Sequence, residues 1–213
     1  MNINYSKEVR SAKESGRPIL VLESTIIAHG MPFPDNLEFA QRGESLCREL
    51  GVTPAMIGIL DGEIHVGLEM EQLEFIAKND SVKKVSRREL GLSISERLNG
   101  ATTVSSTMHI AYQSRIPVFA TGGIGGVHRG AEYAFDVSQD LTALATIPMI
   151  VISAGAKAIL DLPKTLEMME TLGITVLGYG VDEFPAFYSR ESGGFRIHPV
   201  SSPGGVAAIY KEN

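Results

Sequence analysis

The chain has 213 residues, 44% of them hydrophobic and 21% charged, with a formal net charge of −6, which suits one soluble domain able to bury its own core. Net negative charge and scattered basic residues exclude an electrostatic footprint for nucleic acid, since the densest basic group, Lys83, Lys84, Arg87 and Arg88, is too short for a binding arm. A single cysteine (Cys47), a polar N-terminus without an apolar core, and a longest uncharged run (Leu141–Ala156) below the roughly 20 apolar residues of a membrane span predict a cytoplasmic protein with no disulfide and no membrane partner.

Short apolar runs alternate with amphipathic segments along the chain. Pro18–Leu22 reads as a strand. Asn36–Leu50 reads as a helix with Asp35 as N-cap, Glu38 in the reciprocal capping position and Gly51 as its stop; Leu37, Ala40, Leu46, Cys47 and Leu50 form its predicted inward stripe. Met56–Leu60 and Ile64–Gly67 bracket Asp61-Gly62, a hairpin-turn signal. Glu69–Lys78 is a second helix, Val82–Ser86 a short strand, and Thr103–Ser114 a third helix with Val104, Met108 and Ala111 on one face. Ile116–Thr121 and Met149–Ser153 follow as strands, then a helix over Pro163–Leu172 and a strand over Ile174–Tyr179. The alternation predicts an α/β fold, a mixed but mostly parallel central sheet flanked by helices, with a small β-hairpin insertion.

Four features carry possible chemistry. Lys157 is the lone charge in Leu141–Leu160 and lies just beyond a strand predicted to be buried, where ligands of open α/β sheets bind. A lysine partly removed from water is expected to lose ammonium stability and become a nucleophile; the alternative is a packed stem with its head in solvent. Glu23 ends the first strand and reads either as a buried general acid and base or as a capping or surface carboxylate. Gly122–Gly130 holds five glycines, so it is either an anion cradle or a structural turn; it fits neither a dinucleotide fingerprint nor a Walker loop. Asp136 and Asp140 would share one face of a helix and suit a hard divalent cation such as Mg²⁺ or Mn²⁺, or serve merely as a cap and a solvent contact. The five histidines lack zinc spacing, and no Gly-x-Ser-x-Gly elbow occurs.

Several longer blocks resemble the pseudouridine-5′-phosphate glycosidases, also called indigoidine synthase A-like proteins. They are Glu23-Ser-Thr-Ile-Ile-Ala-His-Gly-Met-Pro-Phe-Pro-Asp35, Lys84-Val-Ser-Arg-Arg88, Ala101-Thr-Thr-Val-Ser-Ser-Thr107 and Thr121-Gly-Gly-Ile-Gly-Gly-Val-His-Arg-Gly-Ala-Glu132. Phe135-Asp-Val-Ser-Gln-Asp-Leu141, Ala154-Gly-Ala-Lys-Ala-Ile-Leu-Asp161 and Glu183-Phe-Pro-Ala-Phe-Tyr-Ser189 extend the resemblance, in the family's order, over nearly the whole chain from Pro18. It implies reversible cleavage of pseudouridine 5′-phosphate into uracil and ribose 5-phosphate through a lysine Schiff base with ring-opened ribose, with a divalent metal, commonly manganese, and a homotrimer.

Carried over by residue, the resemblance implies that Lys157 is the Schiff-base lysine, Glu23 the general acid and base, and Asp136 the metal ligand acting largely through waters. Lys84, Val104, Ser138, Gln139 and Asp140 match substrate contacts, and Thr121 and His128 are added as candidates for the ribose-phosphate end. The family continues into a helical region with an Asn-Pro-Ile-Pro-type motif that is absent here, so the chain is expected to be a single domain over 1–213 shortened at its C-terminus. Two alternatives stay open: an impaired truncated paralogue acting only as a binding or assembly subunit, and another lysine-Schiff-base lyase of sugar phosphates.

Overall fold

Strands and helices interleave as the alternation predicts, described for residues 1–212 in a computed structural model. Two units divide the chain, Met1–Ala120 and Thr121–Asn213. The first runs β1 (Ile3–Tyr5), α1 (Lys7–Ser15), β2 (Ile19–Leu22), α2 (Asp35–Glu49), β3 (Thr53–Leu60), β4 (Glu63–Val66), α3 (Met70–Lys78), β5 (Lys83–Val85), α4 (Leu90–Ser95), β6 (Gly100–Thr102), α5 (Val104–Gln113) and β7 (Val118–Ala120). The second runs α6 (Ala131–Ala134), α7 (Gln139–Thr146), β8 (Ile150–Ile152), α8 (Leu162–Thr171), β9 (Leu177–Tyr179), β10 (His198–Val200) and α9 (Pro203–Glu212). Among the described residues no helix is long and apolar enough to cross a membrane.

In the first unit β3 is the hub. It pairs with β2 in parallel and with β4 and β6 antiparallel, while β1–β4, β2–β7 and β5–β6 are parallel, so the fold is α/β with a mixed, mostly parallel sheet flanked by helices. The Asp61-Gly62 turn forms as predicted, with both residues at positive φ (49° and 75°), the pair of a type I′ turn. A Cβ on Gly62 would come within 2.6 Å of the Ile94 carbonyl oxygen, so glycine is required there for space as well as for φ.

α2 ends as expected. The amides of Gly51 and Val52 donate to the carbonyls of Arg48 and Cys47, a Schellman closure with Gly51 at φ +76°. Its start differs: the helix already includes Asp35, and Asn36 is drawn inward to donate to the carbonyls of Ile27 (2.7 Å) and Ala77 (2.8 Å). Its inward face is Asn36, Ala40, Glu44 and Cys47; Leu46 and Leu50, predicted to face inward, stand exposed. The core beneath packs Ile27, Ala40 and Met56 against Leu73, Ile76, Ala77 and Ala101. Val104, Met108 and Ala111 of α5 are fully buried, as their spacing predicts.

β2 and β6 occupy the same edge of β3 and approach head-on. Leu22 lies opposite Met56, and Ala101 lies opposite Gly58 running the other way, so the carboxyl ends of both strands meet at Ile57. The Ile57 carbonyl accepts the hydroxyls of Ser24 (2.6 Å) and Thr102 (2.9 Å). The Thr102 amide donates to Ser24 Oγ (2.9 Å), Thr25 Oγ1 donates to the Thr102 carbonyl (2.8 Å), and Thr107 Oγ1 donates to Thr102 Oγ1 (2.8 Å). Thr102→Val keeps the shape but deprives the buried Thr107 hydroxyl of its acceptor. Urea unfolding should show a loss of about 1–3 kcal/mol with an unchanged m-value.

Candidate functional site

The convergence at Ile57 places three of the predicted residues. Glu23 is the first residue beyond β2 and is 5% exposed, which excludes a surface glutamate. Val104 opens α5 two residues after Thr102 and is fully buried. Lys84 sits in β5 opposite Ala101, one step before the β6 end, and is exposed. Thr25 and Ser24, on the Glu23 side, are bonded to Thr102, on the Val104 side, so the two segments are held as one piece. Ser106 Oγ donates to the Val85 carbonyl (2.6 Å), and the Arg87 amide donates to Ser105 Oγ (3.2 Å), tying β5 to the first turn of α5.

The second unit holds the remaining predicted residues. Residues 121–127 run beside 152–161: the Thr121 amide donates to the Ile152 carbonyl (2.9 Å), Ile124 to Gly155 (3.0 Å), Lys157 to Ile124 (3.1 Å) and Asp161 to Val127 (2.9 Å). Lys157 is therefore pinned through its amide, and its carbonyl accepts from the Leu160 amide (3.0 Å), while its side chain remains half-buried. The strand before it is not the buried one predicted. Ile150 and Val151 are half-buried and Ile152 is 55% exposed. A run of β-branched residues reports strand propensity, which is blind to how many faces are covered.

The glycine-rich segment is a structural ribbon. The Gly125 amide donates to Asp140 Oδ2 (2.9 Å), Val127 to Thr165 Oγ1 (3.0 Å), and His128 to the Asp136 carbonyl (2.9 Å), so these amides, with that of Ile124, are already engaged. Glycine is needed for close approach. A Cβ on Gly125 would meet Ser138 Oγ at 2.1 Å, and one on Gly126 would meet Thr165 Oγ1 at 2.5 Å. Thr165, buried on α8, also donates to the Asp161 carbonyl (2.7 Å); nothing in its sequence pattern marks it.

Asp136 and Asp140 do not share a helix face. Ser138 caps α7, accepting from the Asp140 amide (3.2 Å), so Asp136 lies ahead of the helix while Asp140 is buried against Gly125. The Asp136 side chain is 64% exposed, with its Oδ2 3.8 Å from His128 Nδ1. Among the described residues no group of three His, Cys, Asp or Glu side chains could cage a metal. One open carboxylate suits instead a hard divalent ion that keeps most of its waters. Gln139 and Ser138 are half-buried at the α7 start, and Thr121, half-buried, begins the ribbon.

A segment marked in the sequence only by the family resemblance, 183–189, wraps this ribbon. The Phe187 amide donates to the Ala154 carbonyl (3.2 Å), and Phe187, at φ +65°, lies against Gly123, where a Cβ would meet its ring at 2.5 Å. Beside it Glu183 accepts from the amides of Gly194 (2.8 Å) and Ser192 (2.6 Å) and from Ser192 Oγ (3.0 Å). These donors, the Gly194 amide foremost, hold its carboxyl down at about 2.

Comparison with known proteins gives concordant matches. The family described as indigoidine synthase A-like protein matches residues 8–213. The pseudouridine-5′-phosphate glycosidase of Roseobacter denitrificans is 53% identical over 209 residues, 98% of this chain and 67% of that protein. The enzyme of that name from Mycoplasmopsis agalactiae is 53% identical over 211 residues, 99% and 70% of the two chains. The crystal structure of an indigoidine synthase A-like protein from Thermotoga maritima matches with a TM-score of 0.91 at 38% identity, covering 100% of this chain and 69% of that one. The prealnumycin C-glycosynthase AlnA, in complex with ribulose 5-phosphate, matches with a TM-score of 0.91 at 36% identity, covering 100% and 68%. The chain thus spans about two thirds of the length of these relatives.

Because the Glu183 carboxyl is depressed, it favours the folded 192–194 loop above its ordinary value of 4.5, and that advantage is lost as pH falls from there toward about 2. Hydrogen exchange should show the Gly194 amide losing protection across this window. Glu183→Gln should show the same loss at neutral pH; equal protection in that variant would refute the assignment.

Proposed function

The chain belongs to the indigoidine synthase A-like family, and from that premise we propose that it is a pseudouridine-5′-phosphate glycosidase, splitting its substrate reversibly into uracil and ribose 5-phosphate in nucleoside catabolism. The observation that carries the reading is the placement of Lys157, whose main chain is bonded at both its amide and its carbonyl while its amine arm stays half-buried. Fixing the backbone of a nucleophile while leaving its arm to swing removes most of the entropy of bringing it to the sugar.

The scissile bond joins C5 of uracil to C1′ of ribose. A carbon leaving group lacks the lone pair that ordinary glycosidases protonate between two carboxylates. In this reading Lys157 Nζ bonds to C1′ as the ring oxygen departs with a proton to become the C4′ hydroxyl. A proton then reaches uracil C5, the electron pair of the C1′–C5 bond stays with uracil, and the nitrogen lone pair forms the C1′=Nζ imine. Water hydrolyses the imine, releasing the aldehyde of ribose 5-phosphate and the free amine. Glu23, buried at the strand end, carries the protons, a role that needs a fixed carboxyl shielded from bulk water.

Lys84, Val104, Ser138, Gln139 and Asp140 are proposed to contact the substrate, with Thr121 and His128 at the phosphate end. Asp140 also accepts from the Gly125 amide of the ribbon, which holds that contact surface in shape. A divalent cation, Mn²⁺ by family resemblance, would rest on Asp136 through waters and supply positive charge beside the anionic sugar phosphate. The same resemblance assigns a cytoplasmic homotrimer.

Incubation with uracil, ribose 5-phosphate and Mn²⁺ should consume uracil. Lys157→Ala should lower turnover by about three orders of magnitude or more. Glu23→Gln should lower kcat by about 10²–10⁴-fold while borohydride still traps the sugar on the protein. Loss of trapping in Glu23→Gln, or turnover surviving in Lys157→Ala, would contradict these roles.

A further inference from the structure

α2 carries a second apolar face that the fold does not use. Phe39, Leu46 and Leu50 are 48%, 54% and 73% exposed, and Gly43 lies between them. These four positions recur at intervals of four, three and four residues. At 3.6 residues per turn they fall within an arc of about 60°, on the flank of the buried face of Asn36, Ala40, Glu44 and Cys47. An apolar 4-3-4 stripe is the seam by which one helix packs along another. Gly43 deepens it: a Cβ there would meet nothing within 4 Å, so the gap in the stripe is open space in which a side chain from outside can sit.

The charges beside the seam indicate the occupant. Arg42 and Glu49 are both exposed, stand one heptad apart on the outer border, and take no part in the ion pairs of α2, in which Arg48 binds Glu8 and Glu44. One cation and one anion at that spacing complement each other across a two-fold axis, when an identical helix runs the opposite way. A parallel pair would instead direct Arg42 at the Cys47 side of the other helix, which is buried in its own core.

We infer that the Phe39–Gly43–Leu46–Leu50 face of α2 docks a second copy of this chain, antiparallel and isologous. Phe39 packs on Leu50 of the second copy, Leu46 of the second copy fills the gap at Gly43, and Arg42 faces Glu49 of the second copy, each contact made twice. The contact does not depend on the catalytic reading. It joins whatever cyclic assembly the chain forms into pairs.

The test is solution mass by sedimentation and light scattering over a range of concentrations, with circular dichroism to confirm folding. Wild type should have twice the mass of Leu46→Asp. Arg42→Glu and Glu49→Arg should each raise the dissociation constant at least about ten-fold, since each inverts two pairs at once. The double variant R42E/E49R should return it to near the wild-type value. Gly43→Leu, whose side chain has room within a single chain, should fold normally and still lose the pairing. Equal masses for wild type and Leu46→Asp, or single charge reversals that the double variant does not rescue, would overturn the inference.

Discussion

β2 and β6 run toward each other along one edge of β3, and neither can pass Ile57, so both must leave the sheet at the same place. The peptide groups freed by that collision are satisfied by hydroxyls: Ser24 and Thr102 donate to the Ile57 carbonyl, and Thr25 and Thr107 complete a fully buried network. A buried polar network specifies one arrangement when each member is bonded, because any slip strands a polar group away from water. The crossing out of the sheet is therefore fixed, and Glu23 and the start of α5 emerge at a set spacing. Crevices outside strand carboxyl ends are where α/β sheets bind ligands, and here two strands supply their ends to one point.

The second unit solves a similar problem with a carboxylate and a threonine. Asp140 and Thr165, from two different helices, take the amides of Gly125 and Val127, and Ile124 beside them accepts the Lys157 amide. Glycines in this ribbon allow the helix termini to come within bonding distance, so they serve packing. Lys157, the proposed nucleophile, thus stands on a segment held by α7 and α8, and its freedom is confined to its side chain. Preorganisation of this kind removes entropy from the reacting state before the substrate arrives.

Much of this was legible in the residues. Asp61-Gly62 announced the hairpin because few residues tolerate two successive positive φ values, and Gly51 announced the end of α2 for the same reason. Strands of three residues, such as β1, β6 and β10, are too short to show a period of two. α7 was hidden because its residues from Leu141 on belong to an uncharged run in which Thr142 and Thr146 leave no clear polar face to mark the helical period. Leu46 and Leu50 misled because the apolar arc of α2 is wider than the face the core covers. Asp136 and Asp140 misled because a spacing of four means a shared face only inside a helix, and Ser138 starts the helix between them. Glu23 and Lys157 stand out as candidates in the sequence since each follows a strand; the hydroxyl network and Thr165 do not, since they depend on contacts far apart in the chain.

Lys157 is proposed to form the covalent bond to the sugar. The most direct test is to reduce the protein with borohydride in the presence of ribose 5-phosphate and map the modified peptide by mass spectrometry. A single stoichiometric adduct is expected on Lys157, present also in Glu23→Gln. An adduct at Lys84 or Lys164 instead, or none on a protein that turns over substrate, would contradict it.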